Sequence, residues 1–418
     1  MKIKQFIISI GFLVSVFFVS AQTGIINNGA KIIVTNGAVI RLSGGSFADY
    51  TNKTVGSDHG RIDLDGVIKI EGDWYNNATS GNVLINVDND GEVQFIGSSQ
   101  QTIGGSAQTN FEKLLLNNSS GIVLNNSVQL YGDLTFTNGL LTLGSNNLTL
   151  GSSTSIIGTL SSSKMIIASG NGELRKIFNS TGSFTFPVGD NTATVEYSPI
   201  TLNFTSGTFG GSAYAAVNLT NAKHTNNSSL TDYLKRYWTV NQSSISNFSC
   251  DVTCNYTNAD VNGTESNIYG AMWDSPNWTK LNAVNTASNQ FTGTVSSFSD
   301  FTGGELSVVE VAIAIRDDVI NEENEDGEII SVTLTNDDFV STLNPAYWTV
   351  NNLPQGVTKG DITRTDSKHA IIQLNGNRTK DYDTDITNLE VVIHNHELNN
   401  LSSGDVSVNT GVTLNADD

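Results

Sequence analysis

From Gly24 to about Ser169 the chain carries no helical periodicity; short aliphatic and β-branched runs alternate with Asn-Gly, Gly-Gly and Asn-Asn steps. Several runs echo one another. Val67-Ile68-Lys69-Ile70-Glu71-Gly72-Asp73-Trp74 resembles Val128-Gln129-Leu130-Tyr131-Gly132-Asp133-Leu134, and Thr35-Asn36-Gly37-Ala38-Val39-Ile40-Arg41-Leu42 resembles Thr137-Asn138-Gly139-Leu140-Leu141-Thr142-Leu143. Loose repeats with a period of roughly 20 residues predict a β-solenoid, because one such coil cannot bury its apolar face without stacking on its neighbours. Asn suits the corners, since it tolerates the left-handed conformation and can hydrogen-bond to an Asn of the next coil. A β-sandwich of stacked hairpins is the competing reading, and the repeats leave both open.

Around Gly170 the texture changes. Longer runs with aromatics follow (Ser183 to Val188, Ser198 to Phe204, Tyr237 to Val240, Ile268 to Trp273, Phe291 to Phe298), which predict an antiparallel β-sandwich ending near Gly304. A third segment begins near Val308, with strands expected at Glu328 to Thr335, Trp348 to Val350, His369 to Leu374 and Leu389 to Ile393. The expected fold is all-β. It comprises a leader over 1–21, a β-solenoid over 22–169, a β-sandwich over 170–306 and an immunoglobulin-like module over 307–418.

The leader is read from Lys2 and Lys4, an apolar run from Phe6 to Phe18, and the small residues Val19-Ser20-Ala21, which place the mature N-terminus at Gln22. That run falls short of the about 20 residues a membrane span needs, and no later stretch is apolar enough. The expectation is a chain secreted to the cell surface. Net charge is −20 with pI about 4.5, so the chain repels phosphate backbones and nucleic-acid binding is set aside. Charged residues are 15%, too few for the self-repelling composition of disordered chains.

The two cysteines, Cys250 and Cys254, fall on the apolar side of the alternating run Phe248 to Tyr256. Four residues along a strand span about 13 Å, beyond the Cα separation of about 7 Å a disulfide tolerates. Two buried free thiols are expected.

Asp90-Gly-Glu-Val-Gln-Phe-Ile-Gly-Ser-Ser-Gln-Gln-Thr-Ile-Gly, Phe111-Glu-Lys-Leu-Leu-Leu-Asn-Asn-Ser-Ser-Gly and Leu130-Tyr-Gly-Asp-Leu-Thr-Phe-Thr-Asn-Gly-Leu-Leu-Thr-Leu-Gly resemble modules of large secreted surface proteins of the Bacteroidota. Phe186-Pro-Val-Gly-Asp, Lys235-Arg-Tyr-Trp-Thr-Val and Phe298-Ser-Asp-Phe-Thr extend the resemblance, which covers residues 24 to 306. It implies an exported, adhesin-like architecture carried by type IX secretion. That route implies a C-terminal sorting domain; none is read before Asp418, so the chain is read as a piece of a longer protein. A second, shorter resemblance, Asp317-Asp318-Val-Ile-Asn-Glu322-Glu323-Asn-Glu325 with Ser331-Val-Thr-Leu-Thr-Asn336, is to the Calx-beta module, an immunoglobulin-like domain that can bind calcium.

Calcium is the ligand the residues favour. Asp317, Asp318, Glu322, Glu323, Glu325 and Asp326 crowd one loop, and Ca²⁺ takes six to eight such hard oxygens. The alternative is a solvated acidic linker. Asp63-Leu64-Asp65-Gly66 and Asp88-Asn89-Asp90-Gly91 read as turn acids. His394 and His396 are expected on one face of a strand, opposite Leu389, Val391 and Ile393. Trp273 and Trp278 flank the turn-like Asp274-Ser275-Pro276-Asn277, either as a sugar-stacking platform or as core. No Gly-x-Ser-x-Gly elbow is present. The basic residues of the solenoid (Lys31, Arg41, Lys53, Arg61, Lys69, Lys113 and Lys164) are scattered in sequence.

The function expected is structural or adhesive at the cell exterior, without catalysis, with extracellular glycans or cell-surface components as partners. The second reading is a secreted carbohydrate-binding or carbohydrate-degrading protein.

Overall fold

Strands make up about 53% of the chain and helix about 4%, and a β-solenoid of about 7 turns runs over residues 25–189, followed by further sheets. The computed structural model describes residues 24–79, 82–85, 90–275, 277–305, 309–316, 319–399 and 405–417. The leader, Asp88, Asn89, Pro276, Asp317 and Asp318 lie outside the described residues. By compactness the chain divides into two units, 1–272 with 281–305, and 273–280 with 306–418.

Each coil lends a strand to each of three faces. One face stacks Ile25–Asn28, Tyr50–Val55, Trp74–Asn77, Gln101–Gly104, Ile122–Leu124, Leu141–Thr142, Ile166–Ile167 and Val188–Asp190, every neighbour parallel. Another stacks Val39–Leu42, Val67–Ile70, Glu92–Phe95, Lys113–Asn117, Leu134–Asn138 and Ile156–Ile157. The remaining face is formed first by Lys31–Val34, Arg61–Leu64 and Leu84–Ile85, then by Thr109–Phe111, Val128–Leu130, Leu148–Leu150 and Leu174–Ile177.

Because side chains alternate along a strand, in-register stacking turns each inward position into a column. Leu42, Ile70, Phe95, Leu116 and Phe136 form one such column, all buried. A parallel column is polar. Asn27, Asn52 and Asn76 stack in register inside the first face, fully or nearly buried, and Asn52 Nδ2 donates to Asn76 Oδ1 at 3.1 Å. Asn76 in turn donates to the Gln108 carbonyl at 2.8 Å. On the next coil Gln101, which lies outside this column, accepts from Gly97 N at 2.8 Å and donates to the Ile70 carbonyl at 3.0 Å. The amide ladder thus lies within the strands of this face rather than at the corners where the sequence predicts it, and Asn76 and Gln101 satisfy backbone carbonyls that burial would otherwise leave unpaired.

Coil length is uneven. Hydrogen bonds between adjacent coils join residues 20 apart at Asn147 and Ser127, 24 apart at Asp73 and Asp49, and 29 apart at Thr102 and Asp73. Strands keep register while corners absorb the difference. The corners are also tight: at Gly139, with φ 92°, a Cβ would lie 1.8 Å from the Asn118 carbonyl oxygen.

The coil stack passes into antiparallel structure without a sheet edge. Leu174–Ile177, parallel to Leu148–Leu150 on one side, pairs antiparallel with Ile200–Thr220 on the other. That 21-residue strand pairs with the 19-residue Tyr237–Asn255, which carries Gln290–Val295 and Asp300–Gly304. Cys250 and Cys254 are both free, buried and on the inward side of Tyr237–Asn255, as the alternation requires. Lys176 ends a column of Phe111, Leu130 and Leu150 with an amine. Its Nζ donates to the carbonyls of Gly151, Ser152 (2.9 Å) and Thr154 (3.0 Å), closing the corner of the preceding coil.

In the second unit, Glu310–Ile315, Ile329–Thr335, His369–Asn375 and Thr358–Arg364 form one antiparallel sheet, and Trp348–Asn351, Glu390–Ile393 and Val406–Val408 form another. Ile330, Val332, Leu334, Ile372, Leu374, Val391 and Ile393 share one core with Trp348, whose Nε1 donates to Glu397 at 2.9 Å.

Candidate functional site

The most concentrated chemistry in the first unit lies around Arg236. This guanidinium is fully buried and meets three carboxylates: Nε donates to both oxygens of Asp260 at 2.9 Å, Nη1 to Asp190 at 2.6 Å, and Nη2 to Glu196. The carboxylates are themselves saturated. Asn221 and the Thr192 amide donate to Asp190, Thr257 Oγ1 donates to Glu196 at 2.9 Å, and the Thr257 amide donates to Asp260 at 2.8 Å. Burial pulls the Arg236 guanidinium down, but its bonds to Asp260 and Asp190 more than offset that and hold it above its ordinary value. Around it, Thr302 Oγ1 donates to the Arg236 carbonyl at 2.7 Å and Asp300 accepts from Thr239 at 2.6 Å. The segments 186–190, 235–240 and 298–302, quoted above as one resemblance, thus converge on one buried cluster. With no open side for a substrate, the arrangement fixes the last coil strand to the antiparallel strands. Sequence reading missed it, since its members lie far apart; the only local signal was an Arg amid aromatics at Lys235-Arg236-Tyr237-Trp238.

The acidic loop of the second unit is partly resolved into roles. Asp326 accepts from the Gly376 amide at 2.6 Å, while its own amide donates to Asn377 at 2.9 Å. Arg378 spans the loop: Nε donates to the Glu322 carbonyl at 2.9 Å, Nη1 to Asp381, and its backbone amide to Glu325 Oε2 at 3.3 Å. Arg378 Nη2 also lies 2.7 Å from Glu322 Oε2, an ion pair out of line for a hydrogen bond. Glu323 is exposed, its amide donating to Asn321. Glu325 is fully buried, and its Oε1 has no hydrogen-bond partner; the nearby Tyr382 hydroxyl is likewise orphaned. Burial first, then the charges of Glu325 and Glu322, push the Tyr382 phenol up to about 12. Among the described residues no group of three or more His, Cys, Asp or Glu is placed to hold a metal ion. Glu322 is already paired with Arg378.

Trp273 and Trp278 stand with ring centroids 5.0 Å apart at 54°, each half-buried. His394 ends the strand at Ile393 and caps a 3-10 turn, Asn395–Glu397, so His396 is not a strand residue; the rings nonetheless meet at 4.6 Å, with Tyr347 stacked 5.3 Å from His394. Asp63 lies within a strand rather than a turn and pairs with Lys31 at 2.7 Å. Four of the seven scattered basic residues are brought together by stacking: Lys31 is the register partner of Arg61, and Arg41 of Lys69, with Glu71 2.7 Å from Arg41.

No family model matches this chain, and neither a curated protein nor a solved structure does.

Proposed function

We propose that this is an exported cell-surface protein whose work is structural or adhesive, without catalysis. One observation carries the reading: about 7 coils stack in parallel register, so the same outward position recurs on every coil. Such a body suits spacing, display and multivalent weak contact, in which many small affinities add through effective concentration. The acidic balance favours solubility and recruitment of divalent cations. Its partners are extracellular glycans or other surface components, and export proceeds through the N-terminal leader by the type IX route.

The test is to label intact producing cells with an antibody against the chain and to compare adhesion of wild-type and deletion strains. Surface labelling with reduced adhesion or altered surface architecture is expected. A chain confined to the cell interior, or a deletion without effect on either property, would refute the reading.

Calcium belongs to the same proposal, as a ligand of the acidic loop that carries Asp317, Asp318, Glu322, Glu323, Glu325 and Asp326 in sequence. Millimolar Ca²⁺ raises the melting temperature of the wild-type chain, and Glu325→Gln removes the rise. Equal melting with calcium and with chelator would leave the loop a solvated linker clasped by Arg378.

The second reading, carbohydrate binding or degradation, draws on the paired Trp273 and Trp278 rings and on the stacked Arg41 and Lys69. Incubation with neutral and acidic polysaccharides decides it: new sugar ends would establish degradation.

A further inference from the structure

The first unit holds a cleft of about 380 Å³ beside the bulged middle of Tyr237–Asn255, at the low end of the about 300–1,000 Å³ typical of small-ligand sites. Its floor is aromatic. Phe248 and the half-buried Phe298 lie with centroids 4.7 Å apart, and Phe204 braces both from beneath at 5.5 and 5.8 Å. Its rim is Asn241, Gln242, Ser246, Asn247, Ser296 and Ser297. The side chains of Ser246, Asn247, Ser296 and Ser297 are exposed and make no hydrogen bond among the described residues. Gln242 accepts from the Ile245 amide at 2.9 Å, which leaves its NH₂ group available.

The cleft is lined by neutral groups, and the backbone beside it is partly left-handed. In a chain with 41 acidic residues, none lines it, and neither does any Lys, Arg or His. The carboxylate that touches the rim, Glu173, is already engaged by Asn241 at 2.9 Å and Arg175 at 2.7 Å. A charged ligand would find no counter-ion there. Moreover, Ser244 and Asn247 hold φ of 58° and 51°, a left-handed conformation that non-glycine residues adopt at a cost and that concentrates at functional sites.

We propose that this cleft binds a neutral saccharide. A sugar ring offers a face of C–H groups and a rim of hydroxyls, each both donor and acceptor. The half-buried Phe298 ring, backed by the buried Phe248, takes the C–H face. The amides of Asn247 and Gln242 and the serine hydroxyls, which also donate and accept, take the hydroxyls. An apolar peptide would strand those polar groups, and a glycan carrying uronates would bury charge without a partner. This inference rests on the glycan-adhesive reading and gives it a location and a ligand class.

The full chain is titrated by calorimetry with oligosaccharides from dextran, laminarin and mannan, and with alginate and hyaluronan fragments as acidic controls. Asn247→Gly preserves the left-handed backbone and removes only the amide; Ser297→Ala removes a hydroxyl; Ser57→Ala, in an exposed turn of the coil stack, is the control. Expected is binding of at least one neutral oligomer, weakened about tenfold by Asn247→Gly combined with Ser297→Ala and unchanged by Ser57→Ala. Neutral binding that survives the double variant overturns the cleft while leaving glycan adhesion standing elsewhere. Binding of acidic fragments alone overturns it also. Silence with every neutral oligomer overturns it, while the cell-adhesion comparison judges the broader reading separately.

Discussion

The coil stack and the antiparallel strands that follow it share one sheet and reach stability by opposite means. In the coils, each rung repeats the same small contribution: an aliphatic column, an amide column and a neighbour above and below. In the antiparallel part, a single guanidinium holds three carboxylates drawn from distant segments. Repetition spreads the load, so loss of one side chain is felt by adjacent coils only. Convergence concentrates it, so one side chain holds the whole region. A chain can thus be redundant at one end and dependent on one residue at the other.

The contrast can be broken most sharply at Arg236. Arg236→Met leaves three buried carboxylates without a cation and should cost about 3–5 kcal/mol, seen as a lower denaturant midpoint for the first unit. A loss below about 1 kcal/mol, within the range of an exposed ion pair, would show that the cluster is not the keystone. Next is Leu116→Ala in the middle of the aliphatic column, which should cost about 2–5 kcal/mol. Hydrogen exchange should localise its effect to neighbouring coils; uniform loss of protection would make the stack as interdependent as the Arg236 region. Asn76→Ala removes the acceptor of Asn52 and the donor to Gln108 and should cost about 1–3 kcal/mol. The smallest effect is titratable. Burial holds the Lys176 amine down to about 8 against an ordinary 10.5. Between those pH values the unfolded chain binds a proton that the folded chain does not, so stability rises with pH across the window. The melting temperature should therefore climb modestly from about pH 8 to 10, and Lys176→Met should flatten the climb. An identical slope in the variant would assign it to another group.

What the sequence disclosed was local. Two-residue alternation placed Cys250 and Cys254 inward, because strand geometry allows no other outcome once one residue of the run is buried. The all-β solenoid was legible for the same reason, since no helical stripe competed. Register between coils was not legible, because corners of unequal length separate strands that end up adjacent; hence Arg41 and Lys69 looked scattered although they stack. The Arg236 cluster was hidden by the span from Asp190 to Asp260, and the segments that hold it were readable as a pattern without their chemistry. At the acidic loop, the crowding of carboxylates was evident. That Asp326 serves as a backbone clasp depends on Gly376, far along the chain.

The unbroken passage of one sheet from coil face to antiparallel strands also has a mechanical meaning. Tension along the stacking direction runs along the inter-strand hydrogen bonds, so it opens rungs in succession rather than shearing all at once. A coil parted from one neighbour stays paired with the other. At the junction, Leu174–Ile177 remains bonded to Ile200–Thr220, whose pairing with Tyr237–Asn255 runs from Ile200 to Thr220. Under load such a body lengthens stepwise: the rungs share one tension, the weakest parts first, and each parted coil releases its own length of chain.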